Sequence, residues 1–427
     1  MSNNLRVALV VPTGACRYDK MTLLSWIQAG QVDLVAFPEC FMDASVGTSA
    51  LAAAGKTAIL QVRALAEELR VPVLAGVWCS DVIDGRGMQC AGYWNPTPDR
   101  GDTRQHFYAK HSTSEVLPYE LSDYAAQRAA MFTPICLKGR RLGVQLCHDQ
   151  FFGLISACLV RAGADVLFDL TGSSVVRTKW FNVAAGRSLE HRLPYFCTMV
   201  RDSSEATSNT ALAFGFRNGA ELTWLRRKES ARNGDLVLFA VDGKSLPQNA
   251  EQAYSPHFYN DITLALAPST AKASLHVDFC GPEGVGRDSW QPLPTRRRQV
   301  GILALPTESL RDPLCIHEHE DGESSFDVNL VCFTSPRDVL SQEEAIILAR
   351  LRAIEHRVAV VVCTPTIREV IKTSRFKNIQ RMRERDGVFG LDLSFLKGTY
   401  ATMEGNNQMG IPKEYQPDYR KLREAAR

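Results

Sequence analysis

The sequence predicts an α/β protein, because short apolar runs of strand length alternate with segments whose apolar residues recur at helical spacing as far as Val241. Turn signals such as Asn218-Gly219 separate the runs. Beyond Gly243 prolines and glycines become dense, and the α/β pattern resumes only after about residue 298. The expected organisation is a large domain over 1–243, a partly structured Pro/Gly-rich connection over 244–298, and a smaller α/β C-terminal extension with a basic tail over 299–427.

Arg6 to Val11 is a Val-rich strand, and Asp19 is placed to cap a helix with Met21, Leu24 and Ile27 inward and Gly30 beyond its end. The apolar run Asp33 to Phe37 ends in Pro38-Glu39, which puts a carboxylate at the carboxyl edge of a sheet, where open α/β folds place their chemistry. A helix from about Gly55 to Leu69 leads into a strand over Val71 to Trp78. Gln89 to Asn95 and Arg104 to Lys110 read as a hairpin across Pro96 to Asp102. A second hairpin joins Phe132 to Leu137 and Leu142 to Leu146 across Lys138-Gly139-Arg140, and delivers Cys147 to a strand-to-helix turn. The following helix, Phe151 to Ala162, has Phe152, Ile155, Leu159 and Ala162 on one side. A thiol at its start would feel the partial positive charge of free N–H groups, which favours thiolate.

Val166 to Leu170 is the next strand, and Lys179 to Leu193 a helix carrying Arg187-Ser188-Leu189-Glu190-His191. Phe196 to Arg201, Thr210 to Phe216, Glu221 to Trp224 and Leu236 to Val241 complete the first series of strands. In the extension, Val300 to Leu305, Asp327 to Phe333 and Val358 to Cys363 are apolar runs, with a helix over Ser341 to His356. The stretch from Arg352 to Val362 echoes Arg63 to Leu74, a weak internal repeat that any helix-then-strand unit would also produce.

Composition sets the class. The chain has 427 residues, 45% hydrophobic and 22% charged, with a net charge of +2 that exerts no global pull toward nucleic acid. No apolar run approaches the roughly 18 residues that cross a bilayer, and Met-Ser-Asn-Asn-Leu-Arg leads into a strand without signal-peptide features, so a cytoplasmic location is expected. The 12 cysteines include no Cys-x-x-Cys and no paired zinc spacing, and are expected to be reduced thiols.

Glu39, Lys110 and Cys147 each stand at a predicted strand end. Singly they have ordinary readings: a loop or capping carboxylate, a surface lysine, a small buried hydrophobe. Together they form a chemical set. A thiol with an ordinary pKa near 8.5 needs a base at neutral pH, and a desolvated carboxylate such as Glu39 can serve. An ammonium at Lys110, with the His148 backbone N–H, would stabilise charge developing on the substrate heteroatom.

Four blocks in order carry a resemblance: Ala36-Phe37-Pro38-Glu39; Phe107-Tyr108-Ala109-Lys110-His111; Leu142 to Asp149 around Cys147; and Arg187 to His191 followed by Phe196 to Val200. Over roughly residues 5–245 the sequence resembles the nitrilase, or carbon–nitrogen hydrolase, superfamily. The resemblance implies an αββα four-layer sandwich, catalysis by Glu39, Lys110 and Cys147, and a second glutamate, for which Glu120 is the choice and Glu115 the runner-up. It implies hydrolysis of a small amide, carbamoyl or nitrile substrate through a cysteine thioester, and at least a homodimer, with apolar faces of the helices around Cys158, Leu159, Trp180 and Phe181 available for symmetric pairing. No cofactor, metal or membrane is expected. The chain departs from the pattern at His148, where Trp or Tyr is commoner, and at Asp169, where Asn is; both bear on the substrate, and the first favours amides over nitriles.

Rival readings are weaker. In Cys147-His148-Asp149, adjacent residues on a turn should point apart, which disfavours a Cys-His dyad. His317-Glu318-His319-Glu320-Asp321 reads as a solvated loop rather than a metal site, and Arg296-Arg297-Arg298 and the tail from Lys372, with 12 basic against 7 acidic residues, as solvated faces. The alternative from another class is a nitrilase-fold module, catalytically modified, that serves assembly or partner binding through its extension.

Overall fold

Strand β1 (Leu5–Val11) is buried along nearly its whole length, as a strand must be when paired on both edges and covered on both faces. It runs antiparallel to one neighbour and parallel to the other. The computed structural model describes residues 4–13, 17–46, 51–83, 86–110, 132–172, 177–201, 212–230, 232–241, 262–267, 274–278, 281–282, 291–294, 299–312, 328–356, 358–373, 379–381 and 388–392. After β1 follow α1 (Lys20–Gln28), β2 (Leu34–Ser45), α2 (Leu51–Leu69), β3 (Val73–Ile83), β4 (Arg86–Trp94), β5 (Gln105–Ala109), β6 (Ile135–Leu137) and β7 (Arg140–Leu146). A 3-10 turn (Cys147–Phe151) leads to α3 (Gly153–Arg161), β8 (Val166–Thr171), α4 (Arg177–His191), β9 (Tyr195–Met199), β10 (Ala213–Arg217), β11 (Ala220–Glu221), β12 (Arg226–Lys228) and β13 (Asp235–Val241).

These strands form a seven-stranded sheet in the order β12-β13-β1-β2-β3-β4-β5 and a six-stranded sheet in the order β11-β10-β9-β8-β7-β6. The sheets pack face to face, with β1 against β9 and β10, and β2 against β8 and β9. Helix α2 covers the first sheet along β2 to β5, and α3 covers β7 of the second, which gives the αββα layering. At Gly92 of β4 a Cβ would come 2.8 Å from Val62 of α2, so the absent side chain is what lets helix and sheet approach.

Three expectations change. Asp19 caps α1 by accepting from the Thr22 N–H, but Leu23 and Trp26 form its buried side while Met21 is 77% exposed. Strand β2 does not end at Phe37; it continues to Ser45. The run Glu221 to Trp224 is not one strand: β11 ends at Glu221, β12 begins at Arg226, and Trp224 is exposed between them.

Described residues up to Arg177 and from His191 to Val241 form one compact unit; Thr178–Glu190 of α4 and the described residues from Ile262 onward form a second. The second unit contains β14 (Ile262–Ala267), β15 (Ser274–Asp278), β16 (Gly281–Pro282), β17 (Gln291–Pro294), β18 (Gln299–Pro306), a 3-10 turn (Thr307–Arg311), β19 (Val328–Thr334), α5 (Gln342–His356), β20 (Ala359–Cys363), β21 (Arg368–Thr373), β22 (Ile379–Arg381) and β23 (Val388–Asp392). Its sheets run β16-β15-β14-β23 and β17-β18-β19-β20-β21-β22. Leu189 of α4 joins Leu305, Phe333, Leu348, Val360 and Ile371 in its core.

Candidate active site

Glu39 sits in a bulge of β2. The pairing of β2 with β3 shifts between Phe37 and Met42, and Cys40 adopts φ +53°. A bulge explains how Pro38, which cannot donate to a ladder, is tolerated in a central strand. Gly76 on β3 makes the bulge possible: a Cβ there would lie 2.4 Å from the Glu39 Cα and 2.6 Å from the Pro38 carbonyl oxygen.

The Glu39 carboxylate is buried and doubly held. Its Oε1 accepts from Lys110 Nζ at 2.8 Å and its Oε2 from the Gly172 N–H at 3.0 Å. Lys110 follows β5, and its side chain is only 2% exposed. The Lys110 N–H donates to the Gln89 carbonyl at 3.0 Å, and Nζ donates to Gln89 Oε1 at 2.6 Å. Burial pushes the Lys110 pKa down, but Glu39, Cys147 and Asp149 outweigh it, and the ammonium is held above its ordinary range. The site therefore keeps a fixed cation.

Cys147 comes from the other sheet, as the first residue of the turn after β7, with φ +50° and 4% exposure. Its environment overturns the expectation of a stabilised thiolate. Burial pushes the thiol pKa well up, the Glu39 charge adds to the rise, and Lys110 and the Gly172 N–H only partly oppose it. A five-residue 3-10 turn is too short to supply the field of a long helix. A protonated thiol beside a carboxylate needs that carboxylate as its base.

His148 is a second correction. Its Nδ1 lies 3.7 Å from Cys147 Sγ, because the tight turn keeps the two side chains on one side. Asp149 instead points inward, where its Oδ2 accepts from Tyr108 Oη at 2.7 Å and from the Leu146 N–H at 3.2 Å. That contact ties β5, which delivers Lys110, to the turn that delivers Cys147. Asp169 on β8 accepts from Thr171 Oγ1 at 2.6 Å, and burial raises its carboxyl pKa well above the ordinary value. Burial thus favours a neutral group at the position where an amide is commoner in the resembled superfamily.

The structure brings Glu39, Lys110, Cys147 and His148 together. Glu120 and Glu115 lie outside the described residues, as do His317 to Asp321 and Arg296 to Arg298. Sequence reasoning missed Gln89, Gly172, Tyr108 and Asp149. The hairpin register that pairs Cys90 with Ala109 places Gln89 beside Lys110, a signal that was within reach once both arms had been predicted. Among the described residues, no group of three or more His, Cys, Asp and Glu side chains is placed to hold a metal. Likewise, no helix among them is long and apolar enough to cross a membrane.

Comparison with known proteins gives a family match to the carbon–nitrogen hydrolase model over residues 21–215. No curated protein matches the sequence. Among solved structures, an amidase from Nesterenkonia sp. is 14% identical, with 56% of this chain and 91% of that chain covered and a TM-score of 0.39. A carbon–nitrogen hydrolase from Helicobacter pylori G27 is 15% identical, covering 56% and 89% with a TM-score of 0.39. Saccharomyces cerevisiae Nit3, a member of branch 10 of the nitrilase superfamily, is 16% identical, covering 56% and 90% with a TM-score of 0.38. The residues matched by the carbon–nitrogen hydrolase model, 21–215, span β2, the Lys110 arm and the Cys147 turn.

Proposed function

We propose that the protein hydrolyses a small amide through a thioester on Cys147. The observation that carries this reading is the buried Lys110–Glu39 pair from one sheet acting electrostatically on a buried thiol from the other. Glu39 takes the thiol proton as Sγ adds to the amide carbon. The oxyanion formed is stabilised by Lys110 Nζ and the His148 backbone N–H. The proton passes from Glu39 to the leaving nitrogen, the C–N bond breaks, and ammonia or an amine departs. Glu39 then deprotonates a water that attacks the thioester, releasing the acid and restoring the thiol. Gln89 holds Lys110, and Glu120 is proposed as a further positioning carboxylate. Neither metal nor cofactor enters this sequence.

Alkylation mapping tests the reading. Among the described cysteines Cys40 and Cys136 are more exposed than Cys147, so labelling by iodoacetamide that followed exposure alone would mark those two. Preferential modification of Cys147, with loss of ammonia release from a panel of small amides, is the expected result. Labelling of Cys40 and Cys136 with Cys147 untouched would overturn it and favour a binding module.

A further inference from the structure

Residues 291–381 repeat the order of strands found in 135–221, the segment that carries the thiol. In both, an antiparallel hairpin (β6-β7; β17-β18) runs into a 3-10 turn. After α3 in the first copy, and after residues 313–327 of the second, which lie outside the described residues, come a parallel strand, a helix and another parallel strand (β8-α4-β9; β19-α5-β20), and then two antiparallel strands (β10-β11; β21-β22). The six strands stand in chain order in both sheets. The seven-stranded sheet, to which the echo of Arg63 to Leu74 pointed, differs because its β13 returns from late in the chain to pair with β1.

Register fixes the correspondence residue by residue. The last residue before the turn is Leu146 in one copy and Pro306 in the other. Crossing the sheet from Leu146 leads to Leu170 and then Thr198; crossing from Pro306 leads to Thr334 and then Cys363. Thr198 lies 8 residues after Glu190 (198 − 190), and Cys363 lies 8 after Glu355 (363 − 355). Those glutamates belong to matching motifs, Arg187-Ser-Leu-Glu190-His-Arg192 and Arg352-Ala-Ile-Glu355-His-Arg357. Strand pairing and motif spacing agree independently.

The two motifs then meet. Arg187 pairs with Glu190 of its own helix at 2.7 Å and with Glu355 of α5, while Arg352 pairs with Glu355 of its own helix and with Glu190 of α4. All four side chains are at most 1% exposed. Exchanging the helices maps this ring onto itself. Gly186 and Leu351, which also correspond, face each other, since a Cβ on Gly186 would lie 2.7 Å from the Leu351 Cβ. Equivalent residues touching one another mark a two-fold axis, the signature of an isologous pairing between two copies of one surface.

We propose that residues 291–381 are a second copy of 135–221 that lacks the thiol of the turn, and that its helix α5 occupies on α4 the place of α4 from another chain. The copy has Thr307 where Cys147 stands, and the copied half contains no counterpart of the strands that deliver Glu39 and Lys110; it is a partner, not a second active site. The partner that fits this helix face is thus already within the chain.

Charge inversion of the full-length protein tests both parts. R187E/E190R and R352E/E355R each preserve the pair within one helix but set like charges across the axis, and each should lower the melting midpoint by about 10 °C or yield insoluble protein. The quadruple variant restores opposite charges everywhere and should recover most of the loss. Co-expressing the two double variants distinguishes the occupant: rescue with a doubled mass by light scattering would show α4 and α5 pairing between chains and overturn the proposal. Because Arg and Glu differ in length, G186C/L351C supplies a second readout. A disulfide within one chain, seen by intact mass and peptide mapping, is expected; a covalent dimer, or no bond under oxidation, refutes the arrangement.

Discussion

Replacing Lys110 by Met retains a long side chain but leaves the Glu39 carboxylate buried without its cation. At 2.8 Å the gross attraction is about 6 kcal/mol for an effective dielectric constant of ~20. Desolvation offsets much of this in the intact pair, so the useful figure is the cost of removing one partner, about 3–5 kcal/mol. For a unit of this size that corresponds to a fall in melting midpoint of roughly 10 °C. Adding Glu39→Gln removes the orphaned charge and should recover most of the stability, while both variants lose at least about a hundredfold in turnover. The sign of the pH dependence follows from the raised Lys110 pKa: the stabilisation is fully present below the unfolded value of about 10.4 and disappears as pH rises through the higher folded value. Urea denaturation at neutral pH with parallel ammonia-release assays measures both effects. The reasoning fails if Lys110→Met is as stable as the parent protein, or if it hydrolyses any confirmed substrate at near-normal rate.

Cys147→Ala should abolish hydrolysis with little change in melting, because the side chain lost is small and sits on a turn; residual turnover would remove it as nucleophile. In Glu39→Gln the charge that raises the Cys147 pKa is gone, so the pH midpoint of alkylation should move down while turnover falls about a hundredfold or more. An upward shift would contradict the electrostatic account. Gly172→Ala places a Cβ 2.9 Å from Glu39 Oε2, and a displaced carboxylate should cost about tenfold or more in turnover with a near-normal melting curve. Truncation near Gly243 uncovers Leu189 and the buried Arg187 and Glu190, and should lower solubility or change the oligomeric state; an unchanged mass and melting curve would show the extension to be independent.

The sequence alone determined the alternation of strands and helices, since apolar periodicity reports which faces must leave water whatever they pack against. It also pointed to the set Glu39, Lys110 and Cys147, because a carboxylate, an ammonium and a thiol each following an apolar run, in blocks that resemble a known superfamily, stand out together though not singly. It did not determine their state. At Cys147 burial, with the Glu39 charge, pushes the thiol pKa up and opposes the expected thiolate, which no local pattern reveals. The turn's tightness, and with it the approach of His148 to sulfur, depends on a positive φ that the residue types do not announce. Gln89, Gly172 and Asp149 entered the site through pairings that span sheets and loops. Motif spacing hinted at a repeat near Arg352; the counterpart proposed at Arg187 rests on strand order and register together with the shared Arg-x-x-Glu-His-Arg motif. Which helix meets which is settled by long-range packing, and a short echo of helix then strand carries no information about that.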